Sequence, residues 1–198
     1  MTRTALVVVD LQRDFCEGGS LPVPGGAATA AAVAAHLEAT GDGYETVVWT
    51  RDWHVDPGAH FASALGRPPD FVETWPDHCV AGTPGAMLHP AVEGAMARWG
   101  EAEFRKGAHD AAYSGFAGTL ATDGETLLVT WLHARAIEAL EVVGLATDHC
   151  VAATALDAVR AGFPTTVRLA LCAGVDPRTT ARATAAMDRA GVVLRPSR

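Results

Sequence analysis

The sequence predicts an α/β fold, a three-layer αβα sandwich around a mostly parallel sheet, in one domain spanning residues 1–198. Three observations carry that prediction. Short β-branched runs alternate with alanine-rich stretches of helical length, and strand, helix, strand at this spacing builds a parallel sheet with helices on both faces. The runs are continuously apolar rather than alternating, as strands covered on both faces are. A chain of 198 residues with 49% hydrophobic and 19% charged residues is long and apolar enough to bury one sizeable core, which confines expected disorder to the last few positions.

Taken in order, "ALVVVD" (5–10) reads as the first buried strand, and "GGAATAAAVAAHLEATGDG" (25–43) as a helix closed by glycine. "ETVVWTRD" (45–52), "EAEFRKG" (101–107), "LEVVGLA" (140–146), "TTVRLA" (165–170) and "GVVLRP" (191–196) follow as strands. Helices near 151–161 and 177–190 each end at a glycine, Gly162 or Gly191. Residues 53–100 break the rhythm, being rich in proline, glycine, tryptophan and histidine. So long an irregular connection in a compact domain is usually functional. There is no domain linker and no repeat of solenoid period.

Charge narrows the partners. Lysine and arginine number 15 against 23 aspartates and glutamates, a formal net charge of −8 with no basic run, which argues against nucleic acid or an anionic membrane as partner. The apolar run in "MTRTALVVVD" is too short for a signal peptide or membrane span and is followed at once by an acid, so the expected location is cytoplasmic. The four cysteines, at 16, 79, 150 and 172, form no C-x-x-C pair, which favours reduced thiols.

In open parallel sheets the ligand crevice lies beyond the carboxyl ends of the strands. Asp10, Asp52 and Lys106 end the first three strands and Cys150 follows the fourth, so four chemically able side chains converge on one edge. Singly, each has a plain structural alternative: a turn cap, a solvated lysine, an inert core thiol. Together they suggest a nucleophile. Thr147 or Asp148 is placed to cap a helix beginning near Cys150, where free N–H groups and the helix dipole favour a thiolate. Lys106 would lower the thiol pKa further, Asp10 could take its proton, and the N–H groups of Ala146 and Cys150 could face a developing oxyanion.

A second constellation lies in "TRDWHVDPGAHF" (50–61) and "WPDHCVAGTPG" (75–85). Asp52 and His54, two apart on extended chain, share a face. The turn at Pro57 and Gly58 can bring back His60, and His78 lies in the next loop. One carboxylate and three imidazoles make a site for zinc, iron or manganese; the alternative is loop histidines bonded to backbone. His36, His89 and His133 lack such company, and His109 is left open.

These segments carry a family resemblance. "VVVDLQRDFCEGGSL", "TRDWHVDPGAHF", "WPDHCVAGTPGA", "KGAHDAAYSGF" and "VVGLATDHCVAATALDAV" resemble, in order and spacing, the motifs of nicotinamidases (pyrazinamidases) within the isochorismatase-like hydrolases, from about residue 5 to residue 175. The resemblance implies a six-stranded parallel sheet and a triad of Asp10, Lys106 and Cys150. It implies one divalent metal ion (Zn, Fe or Mn) on Asp52, His54, His60 and His78, in a loop region at about 52–85. It places Phe15, Leu21, Trp75, Tyr113 and His149 in the substrate pocket, with Phe15 and Trp75 walling a slot for a flat ring. A cis peptide between Leu145 and Ala146 would aim the Ala146 N–H into an oxyanion hole shared with Cys150. The activity implied is hydrolysis of nicotinamide to nicotinic acid and ammonia, with pyrazinamide also accepted. Isochorismate hydrolases of this fold lack the cysteine. His109 and Asp110 depart from the pattern, which bears on the pocket rim. The expected partner is a small-molecule substrate, with self-association left open. The alternatives are another small amide or an N-carbamoyl amine as substrate, or a non-catalytic metal-binding or thiol-sensing module.

Overall fold

A computed structural model describes residues 2–196; the last positions, where disorder is expected, fall partly at 197 and 198, outside the described residues. One sheet runs through the molecule. Its strands are β1 (Thr4–Val9), β2 (Thr46–Asp52), β3 (Gly100–Lys106), β4 (Thr119–Leu120), β5 (Ala139–Leu145), β6 (Thr165–Ala173) and β7 (Val193–Arg195), in the order β4-β3-β2-β1-β5-β6-β7. All neighbours are parallel except β3 and β4, which pair antiparallel at Phe104 with Leu120 and Arg105 with Thr119.

Among the described residues the sheet therefore has seven strands, not the expected six. The additional strand is two residues long at an edge, and so short a piece carries no periodic pattern.

The continuous apolar runs are explained by burial on both faces. Along β1, Ala5, Val7 and Val9 enter one core with Phe104, Leu128, Leu132 and Val142, while Leu6 and Val8 enter the other with Val33, Leu37, Met96 and Val143. Period-two alternation then sorts two apolar sets to two sides. Each fully buried Val or Leu side chain contributes roughly 1.5–3 kcal/mol.

Among the described residues five helices cover the faces: α1 (Gly26–Thr40), α2 (Pro90–Trp99), α3 (Leu128–Ala134), α4 (Ala152–Arg160) and α5 (Pro177–Arg189). Of these, α2 lies inside the stretch expected to be irregular. Pro90 stands in its first turn, where a missing N–H costs nothing, and the His89 ring caps it by accepting from the Ala91 N–H. Gly162 and Gly191, in the left-handed region at φ 92° and 89°, end α4 and α5 as expected. Strand β6 runs three residues past its expected end, because extra residues in β6 shift the register between Val142 and Gly144, so that Val142 meets Val167 but Gly144 meets Cys172. Gly144 has φ 117°, and a Cβ there would lie 2.1 Å from the Val9 carbonyl oxygen, so only glycine fits. No helix among the described residues is long and apolar enough to cross a membrane.

Candidate active site

The carboxyl ends of β1, β2, β3 and β5 meet at one crevice. Asp52 and Lys106 are in register across β2 and β3, and Asp10 leaves β1 at φ 47°, a turn that drops its carboxylate beside them. All three are buried, as is Cys150. The Lys106 ammonium is the hub. Its Nζ lies 2.9 Å from Asp10 Oδ2, bonds Asp52 Oδ1, donates to the Ala112 carbonyl at 3.2 Å, and sits 3.5 Å from Cys150 Sγ. Asp10 Oδ1 accepts from the Thr50 hydroxyl at 2.6 Å. Asp10, Asp52 and Cys150 each offer a ligand atom within 4.8 Å of the others, so base, ammonium and sulfur share one small volume.

Their charge states follow from burial against pairing. Burial pushes the Asp10 carboxyl up; Lys106 opposes this and Asp52 adds to it, leaving it raised. Burial alone would lower the Lys106 pKa, but Asp10, Asp52 and the sulfur outweigh it and hold the ammonium charged. For Cys150 burial dominates and raises the thiol well above its ordinary range, although Lys106 pulls it down. This departs from the expectation that the helix start and Lys106 lower the thiol pKa. The resting sulfur keeps its proton, and attack requires a base.

The turn bearing the sulfur also differs from expectation. Thr147–Val151 forms one π-helical turn after a cis Leu145–Ala146 peptide, and neither Thr147 nor Asp148 caps it. The N–H groups of His149 and Val151 both donate to the Ala146 carbonyl, at 3.0 and 3.1 Å. That local closure replaces the side-chain cap.

The second cluster adjoins the first through Asp52, whose Oδ2 lies 3.8 Å from both His54 Nε2 and His78 Nε2. Each imidazole is oriented by its other nitrogen: His54 Nδ1 donates to the Gly107 carbonyl at 2.5 Å and His78 Nδ1 to the Pro76 carbonyl at 2.7 Å. The Nε2 lone pairs are thereby turned toward Asp52. Gly107, at φ 74°, is required here, since a Cβ would stand 2.7 Å from His54 Cε1. His60 completes the set, the three histidines offering donor atoms within 4.8 Å of one another. Burial lowers His60 to about 4 and His78 to about 3, so both are neutral near pH 7. His54 Nε2 and His60 Nδ1 are buried without a partner. Such groups cost about 1–3 kcal/mol each unless satisfied. Converging neutral nitrogens beside a carboxylate oxygen fit a divalent metal cation. By contrast, His36, His89 and His133 are engaged elsewhere, with Tyr44, the α2 cap and Phe163.

A cavity opens above both clusters. Phe15, Leu21, Trp75, Tyr113 and His149 line it, together with Asp52, His60, His78, Ala146 and Cys150. Tyr113 Oη accepts from Trp75 Nε1 at 3.0 Å and its ring stacks on His149, fixing an aromatic wall. His109 and Asp110 are exposed and do not line the cavity.

Sequence reasoning missed Pro22, Val23, Ala112 and Val175, which also line the cavity, and Gln12 beneath it. The Gln12 amide donates to the carbonyls of Asp52 and Ala86, at 2.8 and 3.0 Å, and accepts from the Asp52 N–H at 2.9 Å, riveting the strand end that bears the carboxylate. A glutamine two residues after the aspartate that ends the strand was the available signal. Val175 carried none, being brought in by a loop.

Known proteins resemble this chain in sequence and fold. The profile of the isochorismatase domain matches residues 4–197. The nicotinamidase/pyrazinamidase of Mycobacterium tuberculosis is 49% identical over 190 residues, which cover 96% of this chain and 97% of that protein. A Leishmania protein (L. infantum) solved in complex with nicotinate is 34% identical with a TM-score of 0.82, over 98% of this chain and 93% of that one. The pyrazinamidase of Pyrococcus horikoshii in complex with zinc is 32% identical with a TM-score of 0.78, over 98% and 99%.

Proposed function

Because the chain belongs to the isochorismatase family, we propose from its site that it is a nicotinamidase, hydrolysing nicotinamide to nicotinic acid and ammonia, with pyrazinamide as a second substrate. The carrying observation is a buried thiol, carboxylate and ammonium at the floor of an aromatic-walled cavity whose side wall holds three imidazoles. A divalent metal held by Asp52, His54, His60 and His78 would supply a Lewis-acidic anchor for a pyridine nitrogen, directly or through water.

The chain's own residues do the rest. Phe15, Trp75 and Tyr113 exclude water and hold the flat ring, which presents its carboxamide to Cys150. Since the thiol rests protonated, Asp10 takes its proton as the sulfur attacks the carbonyl carbon, a transfer favoured by the raised carboxyl pKa. The N–H groups of Ala146 and Cys150 bind the oxyanion. Asp10 returns the proton to the departing nitrogen, ammonia leaves, and a thioester to Cys150 remains. Asp10 then draws a proton from water as its oxygen attacks the thioester, and passes that proton to the departing sulfur, which frees nicotinic acid and restores the Cys150 thiol and the Asp10 carboxylate. Lys106 stabilises the anionic form of Asp10 through each cycle and never leaves its charged state. An N-carbamoyl amino acid would need a cation for its carboxylate, and no arginine lines the cavity.

The test is direct. The purified chain incubated with nicotinamide should release ammonia, and Cys150→Ala should abolish release while keeping the metal content of the parent. Release by Cys150→Ala at near the parent rate would end the scheme.

A further inference from the structure

Asp148 sits between Thr147 and His149 on the turn that carries the nucleophile, yet its carboxylate bonds to a different segment. Oδ1 accepts from the Val175 N–H at 2.9 Å; Oδ2 accepts from the Asp176 N–H at 3.2 Å and from the Thr179 hydroxyl. Three donors, two from the loop after β6 and one from the first turn of α5, thus converge on one carboxylate. Burial would raise that carboxyl; the Thr179, Val175 and Asp176 bonds, with the His149 charge, outweigh it and hold it below its ordinary value, so the latch is an anion.

Both segments joined by the latch face the cavity. On one side are Ala146, His149 and Cys150; on the other is Val175. The Val175 loop is itself fixed to α5, because Asp176 caps that helix through the Arg178 and Thr179 N–H groups at 2.8 and 3.3 Å. A Cβ at Gly174 would fall 1.9 Å from Thr180 Oγ1, so the loop lies flush against the helix. Between the loop and the turn, the Asp148 carboxylate makes the side-chain hydrogen bonds that span the gap.

We propose that Asp148 is a positioning residue of the hydrolase: its carboxylate sets the separation between the nucleophile turn and the Val175 wall, holding the sulfur and the amide donors in line with the seated ring. This rests on Cys150 being the nucleophile and adds a residue that touches neither substrate nor metal. Reactions of this kind are sensitive to such spacing, since a misplacement of about 1 Å can cost about 10²-fold in rate.

The test compares Asp148→Ala, Asp148→Asn, Thr179→Val and Thr179→Ser by kcat and KM for nicotinamide, per folded and metal-loaded molecule, well below each melting temperature. Asp148→Ala should lower kcat by about 10²-fold and raise KM as the Val175 wall shifts, with metal content as in the parent. Asp148→Asn, which keeps one acceptor oxygen, should fall between. Thr179→Val should lower kcat less than Asp148→Ala, and Thr179→Ser should restore the parent values; this pair decides the matter if Asp148→Ala does not fold. A purely structural latch would lower the melting temperature while leaving kcat and KM per folded molecule at parent values, and that result overturns the proposal. Failure of the underlying reading looks different. A parent that releases no ammonia, or a Cys150→Ala variant that does, removes the reaction that Asp148 is said to align.

Discussion

Two clusters of buried charge sit at opposite ends of the sheet, and only one is built for chemistry. Toward the amino ends of the strands, Glu141 accepts from the Tyr44 hydroxyl on one oxygen, its other oxygen forms an ion pair with Arg168 Nε at 2.6 Å, and His36 Nε2 lies 2.7 Å from Tyr44 Oη. One carboxylate meets one guanidinium, and each carboxylate oxygen has a partner. At the carboxyl ends, Asp10 and Asp52 share the single ammonium of Lys106, which leaves one negative charge in excess, and Asp52 Oδ2 faces two imidazole nitrogens at 3.8 Å, beyond hydrogen-bond reach. A carboxylate withdrawn from solvent is common to both. What separates them is completion: a closed network fixes structure, whereas uncompensated charge and unpartnered lone pairs beside a cavity invite a cation and a substrate.

The comparison breaks most sharply at Asp10 and Lys106. Asp10→Asn keeps the shape but removes the base, so kcat/KM should fall by about 10²–10⁴-fold, measured by ammonia release. Lys106→Met should remove activity and also stability, by about 3–5 kcal/mol in denaturant unfolding, because it leaves two buried carboxylates without their cation. A Lys106→Met protein as stable as its parent would mean that the excess charge is already dispersed.

The next effect in size concerns the imidazoles. Gly107→Ala pushes a methyl group against His54 and should weaken metal affinity by about 10–100-fold, the range typical when the partner that orients a ligand is disturbed. Chelation should lower the melting temperature, and a divalent metal at about 100 times its Kd should restore about 2.7 kcal/mol. No change in melting temperature on chelation would contradict a cation held by these nitrogens.

Acid should act on the same residues. In the unfolded chain His60 and His78 titrate near 6.5, whereas in the fold they titrate near 4 and near 3. Between those values the unfolded state binds protons that the folded state refuses, so stability is fully present above about pH 6.5 and is lost as pH falls toward 4 and then 3. Melting curves of the metal-free protein across pH 7 to 4 check this, and a flat profile would place the rings in solvent.

How much of this could be read from the sequence depends on how local each signal was. The strands were legible because apolar runs such as "ALVVVD" and "ETVVWTRD" end on a polar residue, and that residue necessarily reaches the crevice. The histidines were legible as a cluster because a strand end and a proline-glycine turn dictate their return. What was hidden was either too short or too distant. The edge strand Thr119–Leu120 has two residues, and α2, whose face of Val92, Ala95, Met96 and Trp99 packs on the core, follows directly on the proline- and glycine-rich stretch that masks its start. The protonation of Cys150 was misjudged for another reason: a helix-start argument counts favourable dipoles nearby, but the desolvation that outweighs them comes from side chains remote in sequence. Gln12, Asp148 and Val175 act through contacts 27 to 74 residues away, which no local pattern encodes.

The smallest expected effect on catalysis, and the one that sharpens the contrast most, lies at the far end of the sheet. Tyr44→Phe deletes a hydroxyl that both donates to Glu141 and meets His36, leaving a buried carboxylate oxygen and a ring nitrogen without that partner. Unfolding free energy should drop by about 1–3 kcal/mol. Yet Glu141 keeps Arg168, so the strands stay in register and the carboxyl ends of β1, β2 and β3 do not move; kcat and KM for nicotinamide should match the parent. If Tyr44→Phe instead lowered kcat at temperatures where the protein is fully folded, the two clusters would be mechanically linked through the sheet, and completion of a network could no longer be taken as the mark of a purely structural one.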